Sequence, residues 1–306
     1  MHIVVAGGSG FLGRTLTRRL LDDGHCVQVL TRQTIRPGTD DPAWPVQRVT
    51  WTPDGDTGPW ASACRGADVV VNLAGESIGD RRWSLLRKAQ LIESRLKPTR
   101  SLVTFIRNAD PKPALLVSSS AIGFYGDRGR DELTESADRG RDFLAELCDQ
   151  WEHEASTARS AATRVAIVRT GIVLDTTEGA LSRMLPPFRL GAGGAFGSGR
   201  QYMSWIHRDD WVSLVRWIIG TPGLDGPFNA TAPYPVTNAE FARTLGRALH
   251  RPAVLSTPGF ALRLLLGEMA QALLLSGQHV SPHRAIDLGF RFAFERLDAA
   301  LADLLR

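Results

Sequence analysis

Residues 1–13 combine a short apolar run with a cluster of glycines. Residues 2–6 are rich in β-branched side chains and end at Gly7, which predicts a buried strand entering a tight turn. Apolar residues then recur at helical spacing up to Leu21, and Gly24 closes the segment. The glycines therefore stand between a strand and a helix, the context in which such a motif indicates a nucleotide-binding loop.

Each glycine of this stretch allows something that a side chain would prevent. One permits the sharp turn, one lets the backbone approach a pyrophosphate, and one lets the helix pack closely on the strand. The start of the helix also offers unpaired N–H groups and the positive end of the helix dipole to phosphates. The alternative is a glycine-rich turn that binds no ligand. The dinucleotide-binding residues predicted here are Gly7, Ser9, Gly10, Phe11, Leu12 and Gly13.

A second strand is predicted at residues 27–31, and Arg32 follows it directly. In a dinucleotide-binding fold the end of this strand faces the adenosine ribose. An acidic residue there binds the 2′-hydroxyl of NAD, whereas an arginine suits the 2′-phosphate of NADP. Because residues 27–38 contain no Asp or Glu, Thr31 and Arg32 favour NADP as the cofactor. An arginine that is merely solvated in a loop is the alternative.

Two further apolar runs end in polar residues and glycine. Residues 68–76 predict a strand buried on both faces, and residues 114–126 predict another whose end carries Ser118, Ser119 and Ser120. Open α/β sheets bind ligands at the carboxyl ends of their strands. We therefore expect both strand ends to lie near the ligand, with serines that only cap a loop as the alternative.

The helices of the chain show the expected signals, with one interruption. A long amphipathic helix is predicted at residues 82–107, with Pro98 marking a kink or break. A second helix is predicted at residues 142–155, and a third at residues 239–249 with Asn238 as its cap. Strands and helices alternate, which predicts an α/β fold with a Rossmann-type doubly wound parallel sheet.

The composition shifts after residue 175, where glycine-rich loops and apolar helices replace the alternating pattern. We predict an NADP-binding Rossmann domain at residues 1–175, with strand contributions from about 200–230. The smaller lobe at residues 176–306 is predicted to be mostly helical and to bind the substrate.

Charge and cysteine content exclude several classes of protein. The 306 residues carry a net charge of +4 with scattered arginines, which argues against nucleic-acid binding. The three cysteines lie far apart, without metal-ligand spacing or a disulfide framework. The apolar stretch 260–275 is too short and too charged to span a membrane. The first apolar run is predicted to be a strand and not a signal peptide. We therefore expect a cytoplasmic protein with a small-molecule substrate and no metal, membrane or nucleic-acid partner.

The motifs taken together resemble one known family, the atypical short-chain dehydrogenase/reductases called NAD-dependent epimerase/dehydratase or nucleoside-diphosphate-sugar epimerase-like proteins. The residues within 251–306 resemble that group's own C-terminal domain of unknown function, so the resemblance covers essentially the whole chain. It rests on Gly7-Gly-Ser-Gly-Phe-Leu-Gly13, Asn72-Leu-Ala-Gly-Glu76, Arg82-Trp83, Ser94-Arg95, Phe143-Leu-Ala-Glu-Leu147, Trp151-Glu152, Arg169-Thr-Gly-Ile-Val-Leu174 and Gly197-Ser-Gly-Arg-Gln-Tyr-Met-Ser-Trp-Ile-His207.

This resemblance implies a Rossmann-type fold that binds NADP, with a small C-terminal substrate lobe. It implies that the 2′-phosphate is held after the second strand, that the long helix reaches the cofactor, and that Val173 lies near the nicotinamide. A homodimer stays open, because relatives in the superfamily often dimerise. The cofactor-binding residues expected beyond the glycine loop are Thr31, Arg32, Leu73, Ala74, Gly75, Glu76, Gln90, Arg95, Ser118 and Val173.

The chain departs from the family on the helix after the serine strand. Catalytically ordinary members of the superfamily carry Tyr-x-x-x-Lys there, with tyrosine as the general acid/base. Here Phe143 or Leu144 stands at the tyrosine position, with Leu147 or Cys148 four residues on. Neither phenylalanine nor leucine can transfer a proton.

Proton transfer therefore needs another group. Ser120 is the expected catalytic serine, with Ser119 next. Tyr125, just beyond the serine strand, is the first candidate acid/base, provided that Arg95 or Arg82 lowers its pKa. Weaker candidates are Glu76, Tyr202 and His207.

Two functions from different classes follow from these observations. The first is an NADP-dependent oxidoreductase or epimerase that acts on a sugar nucleotide or a small carbonyl or hydroxyl substrate. The second is a non-catalytic NADPH-binding sensor or scaffold, which the missing Tyr-x-x-x-Lys favours. The sequence leaves this choice open, because function depends on the site and not on the fold.

Overall fold

The computed structural model describes residues 1–34 and 44–306. Its strands are β1 (His2–Ala6), β2 (Cys26–Thr31), β3 (Gln47–Thr50), β4 (Val69–Asn72), β5 (Leu115–Ala121), β6 (Glu132–Leu133), β7 (Arg164–Thr170), β8 (Ile172–Leu174), β9 (Tyr202–Met203), β10 (Trp205–His207), β11 (Gly226–Ala230), β12 (Val236–Thr237) and β13 (His279–Val280). Its helices are α1 (Phe11–Asp22), α2 (Trp60–Ala63), α3 (Leu85–Asn108), α4 (Phe143–Ser156), α5 (Gly179–Arg189), α6 (Arg208–Gly220), α7 (Asn238–Ala248), α8 (Gly259–Leu266), α9 (Glu268–Ala270), α10 (His283–Asp287) and α11 (Leu297–Leu304).

A parallel sheet organises the molecule, and its described strands run in the order β11-β7-β5-β4-β1-β2-β3. Every neighbouring pair in this sheet is parallel. The chain moves outward from β1 to β2 and β3, then returns to build the other side through β4, β5, β7 and β11. The predicted α/β fold with a Rossmann-type doubly wound sheet is therefore confirmed. The reversal between β1 and β4 is where such sheets bind ligands.

Both faces of the sheet are covered by helices. In β1, Ile3 and Val5 pack with one apolar cluster that includes α6, whereas Val4 and Ala6 pack with a second cluster that includes α3. All four side chains are fully buried. This explains why residues 3–6 of β1 are all apolar and do not alternate between apolar and polar residues.

The long helix α3 passes through Pro98, so of the predicted kink or break the break is wrong. Proline removes one helical N–H bond, but Leu91 before it and Leu102 after it are both fully buried. Packing on the sheet therefore holds both halves in one helix. The helix also begins later than predicted, because the Ser84 hydroxyl accepts a hydrogen bond from the Arg87 N–H and caps its start.

The strands β7 and β8 are separated by Gly171 alone. A Cβ built at Gly171 would lie only 2.5 Å from the Ser204 carbonyl oxygen, so this close approach requires glycine. After it, β8 leaves the main sheet and pairs with β10. Val173 is thereby carried into the apolar cluster on the α6 side.

The cap predicted for α7 is wrong by one residue. Thr237 is the N-cap, and it forms a capping box with Glu240. The Asn238 side chain instead accepts a hydrogen bond from the Phe196 N–H at 2.7 Å. It therefore ties the glycine-rich segment before β9 to α7.

Residues beyond 175 contribute β11 to the edge of the main sheet. The division of the chain into domains at residue 175 stays a prediction, as do the cytoplasmic location and the homodimer. Among the helices that the structure describes, none combines the length and the apolar character needed to cross a bilayer.

Candidate functional site

The glycine loop after β1 adopts a conformation that side chains would prevent. Gly7 has a φ of +78°, and a Cβ built on it would lie 2.6 Å from the Leu73 carbonyl oxygen. A Cβ on Gly13 would lie 2.2 Å from the Gly7 carbonyl oxygen, so the first turn of α1 rests directly on the loop. Gly10 is the N-cap of α1 and supplies no capping side chain. With no acidic residue in its first turn, α1 keeps N–H groups for an anion.

A cleft of about 400 Å³ opens beside this loop, at the carboxyl ends of β1, β2 and β4. It brings together ten of the predicted cofactor-binding residues: Gly7, Ser9, Gly10, Thr31, Arg32, Leu73, Ala74, Gly75, Glu76 and Gln90. The other residues that line it are Leu30, Trp51, Pro53, Glu93, Ser94, Lys97 and Pro98. The switch point of the sheet is therefore an open, mixed polar and apolar cleft.

Two cations, Arg32 and Lys97, border the cleft. Arg32 is exposed just past β2, while Lys97 extends from α3 and pairs with Glu93 at 2.9 Å. Sequence reasoning missed Lys97, although it lies seven residues after Gln90 and thus on the same helical face. The end of the acid-free stretch, residues 35–38, lies outside the described residues.

The turn after β4 is held from behind by buried hydrogen bonds. Asn72 donates to the Thr99 hydroxyl at 2.8 Å and to the Ser118 hydroxyl at 3.5 Å, and its side-chain oxygen accepts from the Ala74 N–H. Trp151 also donates to the Thr99 hydroxyl at 2.9 Å. Ser118 is fully buried, so it supports the turn from within the molecule and does not line the cleft.

Two arginines of α3 fix the same turn. Arg95 donates to the Glu76 carbonyl at 2.9 Å, and its side chain packs beneath Gly75. Arg87 pairs with the Glu76 carboxylate and donates to the Ser77 carbonyl at 2.8 Å. Arg95, predicted to reach the cofactor, thus contacts the turn that borders the cleft.

The remaining predicted cofactor residues pack beside the glycine loop. Phe11 and Leu12 are partly buried against the apolar cluster that contains Val173. A Cβ built on Gly179 would lie 3.3 Å from the Phe11 ring and 3.5 Å from the Val173 carbonyl oxygen. Phe11 and the backbone of Val173 therefore meet at Gly179, outside the residues that line the cleft.

At the carboxyl end of β5, Ser120 belongs to a buried charged network. Ser120 and Arg169 are register partners on β5 and β7. The Ser120 hydroxyl donates to the Glu152 carboxylate at 2.6 Å, and Arg169 binds both oxygens of that carboxylate at 2.9 and 2.8 Å. The Arg169 guanidinium also lies 3.6 Å from the centre of the Phe124 ring. Sequence reasoning quoted Glu152 and Arg169 only as parts of motifs and assigned neither a role.

Tyr125 lies in the same network and is fully buried. Its hydroxyl donates to Asn229 Oδ1 at 2.7 Å and accepts from Arg169 at 2.9 Å. Burial raises the pKa of Tyr125 to about 12 and outweighs the opposing effect of Arg169. The expectation that Arg95 or Arg82 lowers this pKa is therefore wrong.

The helix face opposite Ser120 carries Leu144 and Cys148. A Cβ on Gly123 would lie 3.1 Å from Leu144 Cβ, and the Cys148 thiol interacts with Ser120 and the Ala121 backbone. Burial raises the pKa of Cys148 to about 11, so its thiol stays protonated at neutral pH. Phe143 instead packs edge-on against Trp83, with 5.2 Å between ring centres. Of the two alternatives for the Tyr-x-x-x-Lys positions, Leu144 with Cys148 is the pair beside the serine.

Similarity to known proteins agrees with this architecture. Residues 3–231 match the NAD dependent epimerase/dehydratase family, and residues 257–304 match a domain of unknown function, DUF1731. The chain belongs to the NAD dependent epimerase/dehydratase family. The resemblance described from its motifs is thereby confirmed, including the family's own C-terminal domain.

Two curated relatives span nearly the whole chain. The epimerase family protein SDR39U1 homolog, chloroplastic, of Arabidopsis thaliana is 40% identical and covers 100% of this chain and 87% of its own length. The epimerase family protein YfhF of Bacillus subtilis is 37% identical, and the match covers 100% of this chain and 98% of YfhF.

Two solved structures show the same fold. The crystal structure of human epimerase family protein SDR39U1 (isoform 2) with NADPH has a TM-score of 0.90 and 34% identity, covering 99% of both chains. UDP-N-acetylglucosamine 4-epimerase from Bacillus cereus has a TM-score of 0.77 at 17% identity, covering 99% of this chain and 95% of its own, and shares the fold alone. NADP, the cofactor expected from the sequence, is present in its reduced form in the human structure.

Proposed function

We propose that this protein binds NADPH in the cleft beside the glycine loop and acts as an oxidoreductase on a small carbonyl or hydroxyl substrate. One observation carries the proposal: a glycine loop, the uncapped start of α1 and two cations border a single cleft. NADPH in the structure of a human relative that is 34% identical over 99% of both chains supports it.

The residues of the cleft fit this cofactor. The close approach at Gly7 and Gly13 leaves backbone where side chains would block a pyrophosphate, and α1 offers its N–H groups there. Arg32 and Lys97 suit a 2′-phosphate, because cations form strong charge-assisted hydrogen bonds to phosphate oxygens. When bound, NADPH supplies a hydride to the substrate.

The proton would be handled by Ser120 with Glu152. Because the Ser120 hydroxyl donates to Glu152, the lone pairs on Oγ remain able to accept a hydrogen bond from a substrate hydroxyl. As a proton leaves that hydroxyl for Oγ, Ser120 passes its own proton to the Glu152 carboxylate. The reverse transfer returns a proton to the substrate oxygen during carbonyl reduction. Arg169 would keep Glu152 in place for both directions.

The test is a screen of NADPH oxidation with small aldehydes, ketones and sugar nucleotides, run beside the Ser120→Ala variant. We expect oxidation of NADPH with at least one substrate class and a large loss of rate in the variant. Turnover that is equal in wild type and Ser120→Ala would contradict the assigned role of Ser120.

The second candidate is an NADPH-binding sensor that catalyses no reaction. One observation favours it: apolar Leu144 and protonated Cys148 lie beside Ser120, where the resemblance implies tyrosine and lysine in catalytically ordinary members of the superfamily. It predicts NADPH binding with no turnover in the full screen and a change of shape or partner affinity on binding. Small-angle scattering with and without NADPH measures the change of shape.

A further inference from the structure

Exposed apolar side chains concentrate in one part of the molecule. Among large apolar residues that the structure describes, eight exposed ones lie in segments around residues 85, 190 and 254–265, and four lie elsewhere. Their exposed fractions run from 57% to 88%. Singly exposed apolar residues are normal, whereas a contiguous patch marks an interaction surface. The eight residues are Leu85, Leu86, Leu190, Val254, Leu255, Phe260, Leu264 and Leu265.

Direct contacts join the three segments into one surface. The Leu255 N–H donates to the Gly193 carbonyl at 3.2 Å, which places the strand-like segment before α8 beside the loop after Leu190. At the other end of α8, Arg82 contacts Gly267 and Lys88 pairs with Glu268. The start of α3, with Leu85 and Leu86, therefore lies beside the end of α8. We call these eight residues and the arginines between them the α8 surface.

The α8 helix itself is turned outward. Phe260 and Leu264, four residues apart, share its outer face with Arg263, and Leu262 points inward and is buried. The side chains project from the helix, so the face suits insertion into a soft apolar layer.

The charge around this surface is mainly positive, because the carboxylate at its edge, Glu268, is paired with Lys88. Residues 251–267 contain two arginines and no Asp or Glu. Arg82, Arg189, Arg251 and Arg263 are all exposed, and in the described ranges none of these four has a carboxylate within 4.0 Å. A second copy docked through the same face would bring these arginines against one another. An anionic layer would instead neutralise them while it covers the leucines and the phenylalanine.

We propose that the α8 surface binds the surface of a membrane rich in anionic lipid. The leucines and Phe260 enter the boundary between headgroups and acyl chains, and the four arginines contact lipid phosphates. This proposal departs from the expectation of no membrane partner, which rested on the lack of a spanning segment in the sequence. A protein that lies on a membrane needs no such segment. The proposal is independent of NADPH binding and of turnover.

The test is co-sedimentation of the full chain with vesicles of phosphatidylcholine alone or mixed with phosphatidylglycerol. We expect binding to the mixed vesicles, little binding to phosphatidylcholine, and weaker binding as salt rises. The double variant Phe260→Ser with Leu264→Ser should bind at least tenfold more weakly. A matched control, Ile286→Ser with Leu288→Ser, removes two exposed apolar residues elsewhere and should bind like wild type.

Two further measurements separate lipid binding from other uses of the face. Arg251→Gln with Arg263→Gln should remove the preference for phosphatidylglycerol, and unfolding curves of all variants should match wild type because every altered side chain is exposed. The proposal is overturned if the wild type binds neither vesicle, or if both serine pairs bind equally. It is also overturned if the wild type forms a dimer that does not bind vesicles and that the Phe260→Ser with Leu264→Ser variant, but not the control variant, dissociates into monomers.

Discussion

The two halves of the site are built from opposite kinds of contact. In the cofactor half, backbone glycines and the cations Arg32 and Lys97 border an open cleft. In the half proposed for catalysis, Ser120 and Arg169 are buried, Glu152 is largely buried, and the three satisfy one another's hydrogen bonds. This difference indicates that the chain keeps the glycine loop of its family's fold, while Leu144 and Cys148 stand beside Ser120 in place of the tyrosine and lysine usual in the superfamily.

The largest effect is expected at Gly13. In Gly13→Ala the new Cβ would meet the rigid backbone of Gly7 at 2.2 Å, so the loop must shift. We expect NADPH binding to fall below detection and the free energy of unfolding to drop by about 1–3 kcal/mol. Calorimetric titration and urea unfolding measure both effects. Gly220→Ala is the control, because its Cβ would meet nothing within 4 Å; equal binding by the two variants would contradict the account.

The next largest effect is expected at the serine and carboxylate. Ser120→Ala and Glu152→Gln should each lower kcat/KM by about 10²–10⁴-fold, the range typical of lost acid/base assistance. NADPH affinity should stay the same, because neither residue lines the cleft. The neighbouring Ser119→Ala serves as the control and should keep its turnover. If NADPH affinity fell as much as turnover, the proposed separation between cofactor binding and proton transfer would be contradicted.

A third prediction concerns alkaline pH. The pKa of Tyr125 is raised from 10.0 to about 12, so the folded protein keeps a proton that the unfolded chain releases. This contribution to stability is complete below pH 10 and is lost as pH rises towards 12, for a total of about 3 kcal/mol. Urea unfolding of wild type and Tyr125→Phe at pH 9 and pH 11 measures it. The variant should lose less stability over this interval, and parallel losses would contradict the burial of the phenol.

The smallest effect on activity is expected from the same Tyr125→Phe change. A buried phenol that holds Asn229 and Arg169 is a structural group, so kcat/KM should fall by less than about tenfold, short of the loss typical of a missing acid/base. Stability at neutral pH should fall by about 1–3 kcal/mol, because two buried partners lose a hydrogen bond. If Tyr125→Phe lost as much turnover as Ser120→Ala, Tyr125 would be the acid/base and its structural role would be contradicted.

The cofactor half could be predicted from the sequence because its signals are local. The glycines lie within seven residues of one another, and Arg32 directly follows a recognisable strand. Lys97 could also have been predicted, because its helical spacing from Gln90 places it on the same face of α3. The continuation of α3 through Pro98 could not be predicted, because it depends on the burial of Leu91 and Leu102 against the sheet.

The partners of Ser120 could not be predicted, because these contacts join residues that are distant in the sequence. Ser120 meets Glu152 across 32 positions, and Arg169 reaches both only through the register of β5 with β7. The sequence alone also does not reveal that Tyr125 is buried beside Arg169 and Asn229. Its assignment as an acid/base therefore used residue type without knowledge of its surroundings.

The most direct test of NADPH binding is a calorimetric titration with NADPH and NADH on wild type, Arg32→Ala and Arg18→Ala. We expect wild type to prefer NADPH, and Arg32→Ala to lose about 10–100-fold of its NADPH affinity, as for a lost hydrogen bond to a charged group. Its NADH affinity should not change, and Arg18→Ala, altered at an exposed arginine of α1, should match wild type. Equal affinity of wild type for both cofactors, or no binding of either, would contradict the account.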